Sequence, residues 1–255
     1  MSDQESAVLY SVDGAIAHVR LNRPEKRNAL NDELISGIKN ALNKTRADQT
    51  IRVILLSGEG KDFCSGADLS ALQKIAVASV SDNAEDARSL MELFLLIREL
   101  PVPVIAAVRG RALAGGCGLA TACDLVLAAT SARFGYPEVK IGFVPAMVLA
   151  ILRRNVPEKL AFELLTRGEE INATRALELG LVNQVFEDES FDEDVASYVK
   201  RFEDLSKSAI ALTKRLLYQI DGLSFVEALE AGADVNVIAR LTEDCQRGVA
   251  KFLKK

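Results

Sequence analysis

Apolar positions recur along this chain in two rhythms, one of period two and one close to four. Near the start, Ala7-Val-Leu-Tyr-Ser-Val12 and Ala15-Ile-Ala-His-Val-Arg-Leu21 flank Asp13-Gly14, a turn pair that favours a tight hairpin. After the loop over 22–28 the period lengthens. Leu34, Ile38 and Leu42 recur every four residues behind Asn31, a side chain suited to cap a helix. Ile51 to Leu56 then reads as a buried strand ending at Gly58 and Gly60. A second unit repeats the order: a helix over about 84–100, a strand over 103–108, a short Gly/Ala helix and a strand over 124–128. Beyond Pro145 the signals are nearly all helical, over 158–166, 174–179, 190–205, 206–219 and 224–241. The pattern predicts an α/β core over 1–190 and a helical region over 191–255 that packs on the core or on another subunit.

Composition narrows the functional classes. With 255 residues, 49% of them hydrophobic, the chain can bury a full core. Its 31 Lys and Arg against 36 Asp and Glu give a net charge of −5, and no dense basic cluster appears apart from the Lys254-Lys255 end. That balance argues against nucleic acid as the main partner. The first six residues are polar and acidic, without the pattern of a signal or transit peptide, so the expected location is the cytoplasm. The longest apolar run, Ile141 to Leu152, contains Pro145 and is too short to cross a bilayer, so no membrane span is predicted. Cys64, Cys117, Cys123 and Cys245 match no zinc spacing and are expected to be reduced thiols.

His18 is the only histidine and falls within a predicted strand. Its isolation removes the Ser-His-Asp and Cys-His classes of nucleophilic catalysis. The chemistry must come from carboxylates, backbone groups or a cofactor. The run Gly110-Arg-Ala-Leu-Ala-Gly-Gly-Cys-Gly-Leu-Ala-Thr-Ala-Cys-Asp124 packs small residues where a helix begins, and Phe134-Gly-Tyr-Pro-Glu138 follows with one carboxylate. Unpaired N–H groups at such a start suit an anion or a developing oxyanion. A dinucleotide site is a rival reading, since Gly116-Cys-Gly118 has the first two glycines of that fingerprint, but seven residues separate it from the strand end at Val108. No Gly-Lys-Ser/Thr of a P-loop occurs.

A second loop, Asp62-Phe-Cys-Ser-Gly-Ala-Asp-Leu69, follows the strand ending at Leu56 just as the Gly115 region follows the strand ending at Val108. Two parallel strands would deliver both loops to one edge, where one N–H from each could meet a single carbonyl oxygen. Two ordinary strand–helix turns remain the alternative.

These segments together resemble the crotonase, or enoyl-CoA hydratase/isomerase, superfamily. The resemblance is carried in order by Leu21-Asn-Arg-Pro-Glu-Lys-Arg-Asn-Ala-Leu30, Phe63 to Leu69, Gly110 to Asp124 and Phe134-Gly-Tyr-Pro-Glu-Val139. It implies a spiral of ββα units, a C-terminal helical region used to form trimers or hexamers, coenzyme A thioesters as substrates, and no cofactor or metal. By position it implies oxyanion donors at the N–H groups of Ala67 and Gly115 and an acyl and pantetheine path along Ala67, Asp68, Leu69 and Ser70, with Ser65 beside it. It also implies coenzyme A contacts in the segment of Lys26, Arg27 and Ala29, where a solvated cation is the alternative for Lys26 and Arg27.

Two-glutamate hydratases of that family place acids at the positions of Gly118 and Glu138. Here Gly118 cannot act as one, and Glu138 is the single candidate acid/base. Isomerases with one glutamate shuttle a proton between C2 and C4. Some hydratases of branched or glutaconyl-type thioesters resemble this chain in having Gly at 118 and the form Ile141-Gly-Phe-Val-Pro-Ala-Met147, which favours hydration. A silent acyl-CoA-binding oligomer is the reading from another class. Pocket walls are expected over 71–80, 90–97 and 143–149.

Overall fold

A computed structural model describes residues 6–254. In chain order its elements are β1 (Val8–Asp13), β2 (Ile16–Leu21), α1 (Asp32–Ala47), β3 (Val53–Gly58), α2 (Leu69–Val77), α3 (Val80–Glu99), β4 (Val104–Val108), β5 (Arg111–Leu113), α4 (Gly115–Ala122), β6 (Leu125–Ala129) and β7 (Arg133–Gly135). There follow α5 (Ala146–Asn155), α6 (Glu158–Arg167), β8 (Glu170–Asn172), α7 (Ala173–Glu178), β9 (Gln184–Phe186), α8 (Phe191–Lys200), α9 (Lys207–Gln219), α10 (Phe225–Leu241) and α11 (Glu243–Phe252).

The hairpin forms with Asp13 opposite Ile16, so its turn residues are Gly14 and Ala15. The turn sits one place beyond Asp13-Gly14, because Gly14 leads it with the left-handed φ of +56°. Asn31 caps α1 by accepting the Leu34 N–H, and the helix buries Leu34, Ile38 and Leu42. Helix α3 starts earlier than its apolar pattern indicates, since Ser79 and Asp82 form a reciprocal capping box. Helix α5 begins inside the apolar run Ile141 to Leu152 and extends three residues beyond it. Pro145 stands just before its first turn, where a missing N–H costs no helical bond.

The main sheet has the order β1-β2-β3-β4-β6-β9, parallel from β2 onward. Alternate residues serve opposite faces. Ile54, Leu56, Val104, Ala106 and Val126 join the core under α1, α3 and α4, whereas Val53, Leu55, Ile105, Ala107 and Leu127 meet Phe191, Val195 and Val199 of α8. Coverage of both faces explains why β3 and β4 read as unbroken apolar runs. Helix α8, on the tail side of residue 190, therefore packs as part of the sheet's enclosure.

A second sheet, ordered β5-β7-β8, has strands of three residues, too short for alternation to be seen in sequence. Helix α9 is tied to the core by Lys214. Its ammonium donates to Ile97 O at 2.7 Å, Val102 O at 3.0 Å and Asp124 Oδ2 at 2.6 Å. Among the described residues no helix is long and apolar enough to cross a membrane.

Candidate active site

The short second sheet aligns the segments that carry the predicted chemistry. Leu113 of β5 pairs in parallel with Gly135 of β7, and Cys64 forms a parallel bridge with Ala112. Two to three residues beyond this line of pairing, the three segments reach Ala67, Gly115 and Glu138. A further parallel bridge joins Ala67 to Leu30, with Leu30 N–H donating to Gly66 O at 2.7 Å and Asp68 N–H to Leu30 O at 2.9 Å. The N–H of Ala67 lies between these bonds. Among the described residues no acceptor takes the N–H of Ala67 or of Gly115. Ala67 is exposed and Gly115 half-buried, so both donors are open to a ligand.

Close approach of the two loops depends on missing side chains. A Cβ on Gly116 would lie 2.4 Å from Cys64 O, and one on Gly66 would lie 2.9 Å from Ala114 Cβ. Gly66 also has a φ of +97°, which a larger residue resists. Ala114 is the exception to this economy. It holds φ +50° and ψ −127°, the first central position of a type II′ turn and a place that favours glycine. Its N–H donates to Gly135 O at 2.8 Å, and its O accepts from Gly118 N–H at 3.0 Å. Those bonds hold the strained residue, whose ψ sets the direction of the next N–H, that of Gly115.

Glu138 sits in the 3-10 turn Pro137–Ile141 directly after β7. Its carboxyl is half-buried, and Oε2 is fully buried with no hydrogen-bond partner among the described residues. Burial holds its pKa above the ordinary carboxylate range, with a backbone N–H opposing the shift. The carboxylate is close enough to Cys117 of α4 to add to the rise of that thiol, which burial chiefly pushes up to about 12. A raised pKa and an unsatisfied buried oxygen are features that residues exchanging protons with a ligand commonly share.

At Gly118 the structure supplies the reason no acid fits. Its Cβ direction is filled by Val148 of α5, whose Cγ1 would lie at 2.3 Å, and by the Phe94 ring at 3.4 Å. The place is packed with apolar side chains.

The remaining predicted residues divide by exposure. Lys26 and Arg27 are exposed at the end of the 3-10 turn Pro24–Lys26, with Arg27 at φ +52°. Ala29 is buried, and its O accepts from Arg23 Nη1 at 2.6 Å. Ser65 is half-buried and donates its N–H to Arg27 O at 3.0 Å. Both Asp68 oxygens are engaged, Oδ1 by Ser70 N–H and hydroxyl and Oδ2 by Arg23 at 2.7 Å. The Ser70 N–H, with Arg23, holds the Asp68 carboxyl at about 2. Asp68 is thereby a cap and an anchor for the loop. Leu69 opens α2, and its side chain lies outside the described part of the structure.

Two supporting residues escaped the sequence reading. Asn28 is fully buried at φ +53°; its Nδ2 donates to Glu59 O and Asp62 O, and its Oδ1 accepts from Arg23 N–H. Together Asn28 and Arg23 clamp the 23–30 segment to the Ala67 loop. The signal was an Asn in a bend, the non-glycine residue that tolerates a left-handed backbone.

His18 is half-buried in β2, its pKa lowered first by burial and then by Arg20. The four cysteines are free, three of them buried. Among the described residues no cluster of His, Cys, Asp or Glu could hold a metal ion.

A family profile described as enoyl-CoA hydratase/isomerase matches residues 11–255. A Thermus thermophilus protein with an enoyl-CoA hydratase description is 39% identical over 242 residues, covering 95% of this chain and 96% of that protein. The 2,3-dehydroadipyl-CoA hydratase of Escherichia coli is 32% identical over 252 residues, covering 98% and 96%. A solved enoyl-CoA hydratase of Mycobacterium smegmatis superposes with a TM-score of 0.94 at 31% identity, covering 98% of this chain and 97% of that one. The α/β architecture implied by the crotonase resemblance is the one these structures share.

Proposed function

The chain belongs to the enoyl-CoA hydratase/isomerase family, and from that premise we propose that it hydrates a 2-enoyl thioester of coenzyme A with Glu138 as its single acid/base. The observation that supports the proposal is that the paired segments lead to two N–H groups, on Ala67 and Gly115, and a buried Glu138 oxygen, all without hydrogen-bond partners among the described residues. The thioester carbonyl oxygen accepts from both N–H groups, which stabilise the negative charge that builds there as water adds at C3. Glu138 takes one proton from that water and returns a proton to C2, so that the elements of water are added across the double bond. Its raised pKa suits the second step, and its ionised form serves the first.

The acyl group in this reading is branched or glutaconyl-type, and Lys26 and Arg27 meet the phosphates of coenzyme A. The active form is a cytoplasmic homotrimer or homohexamer. Support for assembly comes from exposed apolar side chains on the last helices, including Phe225, Leu241 and Phe252.

A second reading, double-bond isomerisation between C2 and C4, is favoured by one observation: Val148 fills the space beside Gly118, leaving one carboxylate to move the proton. Purified protein assayed on 2-enoyl-CoA and 3-enoyl-CoA thioesters separates the two. Hydration of the 2-enoyl series upholds the proposal, and double-bond migration without hydration replaces it. Tight thioester binding without either reaction would mark a silent acyl-CoA-binding protein.

A further inference from the structure

Between α3, α5 and α9 lies a groove of about 1010 Å³ that includes none of the residues discussed as oxyanion donors or acid/base. Its walls are largely apolar, with Met91, Phe94, Leu95, Met147, Ile151 and Leu212 among them. It nevertheless adjoins the site. The Phe94 ring in its lining is the one that would touch a Cβ on Gly118, one turn along α4 from Gly115.

The charges of the lining are unevenly committed. Glu99 is paired with Arg46 and Asp221 with Arg154, and the Tyr218 hydroxyl donates to Asp124 at 2.7 Å. Arg98 and Arg215 also line the groove, and among the described residues neither has an acidic partner. The Arg98 guanidinium lies over the Tyr218 ring, 4.5 Å from its centre. Stacking engages the face of that group and leaves its edge N–H groups available to an anion.

We infer that this groove takes the far end of the acyl chain, and that Arg98 and Arg215 hold a carboxylate at its tip. An apolar trough with two cations in its lining that have no acidic partner among the described residues matches a ligand that is apolar along its length and anionic at its end. The inference rests on the placement of the thioester carbonyl at Ala67 and Gly115. One turn of α4, the contact of Phe94 with the Gly118 position and one turn of α3 from Phe94 to Arg98 link the carbonyl site to that cation, a path on the order of 10–15 Å. That span selects a medium-length dicarboxylic acyl group, and a chain entering the groove displaces the Phe94 ring.

The test is calorimetric binding of saturated thioesters to the intact protein, with adipyl-, suberyl- and sebacyl-CoA set against hexanoyl-, octanoyl- and decanoyl-CoA. At least one dicarboxylic member is expected to bind about tenfold or more tightly than its equal-length partner, the effect of one or two charge-assisted bonds. Arg98→Met is expected to remove most of that preference. So is Arg215→Gln, an exposed position where folding is not at risk. Equal binding within every pair overturns the inference and leaves the proposed function standing. Variants that weaken both series alike overturn it too, as do variants that change only the sedimentation state, which would make the groove a subunit contact. Absence of binding by any thioester overturns both this inference and the reading beneath it.

Discussion

Gly118 and Val148 occupy one volume between them: a Cβ built on the glycine would lie 2.3 Å from Val148 Cγ1. Helix propensity alone would make Gly118→Ala stabilising by about 1 kcal/mol. Overpacking of a buried wall costs about 1–3 kcal/mol and is expected to win. Denaturant unfolding of Gly118→Ala, Val148→Ala and the double variant should give a favourable coupling of about 1 kcal/mol or more, because the smaller residue at 148 admits the new methyl. Additive effects would show that the two side chains do not share the space. By the same argument Gly118→Glu folds only in the Val148→Ala background, where its effect on water addition can be measured.

Glu138→Gln is expected to trade activity for stability. The loss of a titrating carboxyl should lower turnover by about 100-fold or more, the scale of a lost general acid/base. Stability should move the other way. Burial raises the folded-state pKa of Glu138, so the stability associated with its protonated form is present below the ordinary carboxylate pKa and lost as pH rises through the folded value. The variant, which cannot ionise, should therefore gain Tm relative to the parent as pH climbs from about 4 toward neutrality, and the gain should then level off. A gain that is constant across this range would mean that Glu138 ionisation does not oppose folding.

How far the sequence could be read follows from element length. Strands β2, β3, β4 and β6 and helix α1 were legible because runs of five or more residues, or three turns of a helix, stand out along the chain. Strands β5, β7, β8 and β9 were not, since three residues can show no alternation, and yet the pairing of Leu113 with Gly135 is what aligns the segments that lead to Gly115 and Glu138. Side-chain commitments were hidden as well. Asp68 reads as a ligand contact from its motif, and only the structure shows its two oxygens engaged by Ser70 and Arg23. The emptiness of position 118 was visible, whereas its filling by a residue thirty places later was not.

Ala114→Gly tests whether backbone strain directs the Gly115 N–H. Glycine adopts φ +50° and ψ −127° without a Cβ penalty, so relief of about 1 kcal/mol or more opposes the entropy a new glycine costs. The expected result is unchanged or slightly raised stability with reduced kcat, because the freed peptide no longer holds its N–H in one direction. A fall in stability with kcat intact would show that the Ala114 methyl, packed toward Gly66, matters more than the turn.

Lys214→Met should detach α9. The variant leaves the half-buried Asp124 with Tyr218 and the Val104 N–H as its donors, and leaves the carbonyls of Ile97 and Val102 without the ammonium. Removing one partner of a buried pair costs about 3–5 kcal/mol, since the other charge stays in low dielectric. Asp124→Asn is expected to cost less, because the Asn oxygen and the carbonyls of Ile97 and Val102 still accept from Lys214, whose pKa burial already lowers, so that the amine can shed its charge. Denaturant unfolding gives the order of the two variants. Hydrogen exchange supplies the location: α9 amides should lose protection in Lys214→Met while those of β3 and β4 keep theirs, because the sheet is closed on both faces without α9. A uniform loss of protection would mean that this contact supports the whole core, and that α9 is no more separable from the sheet than α8.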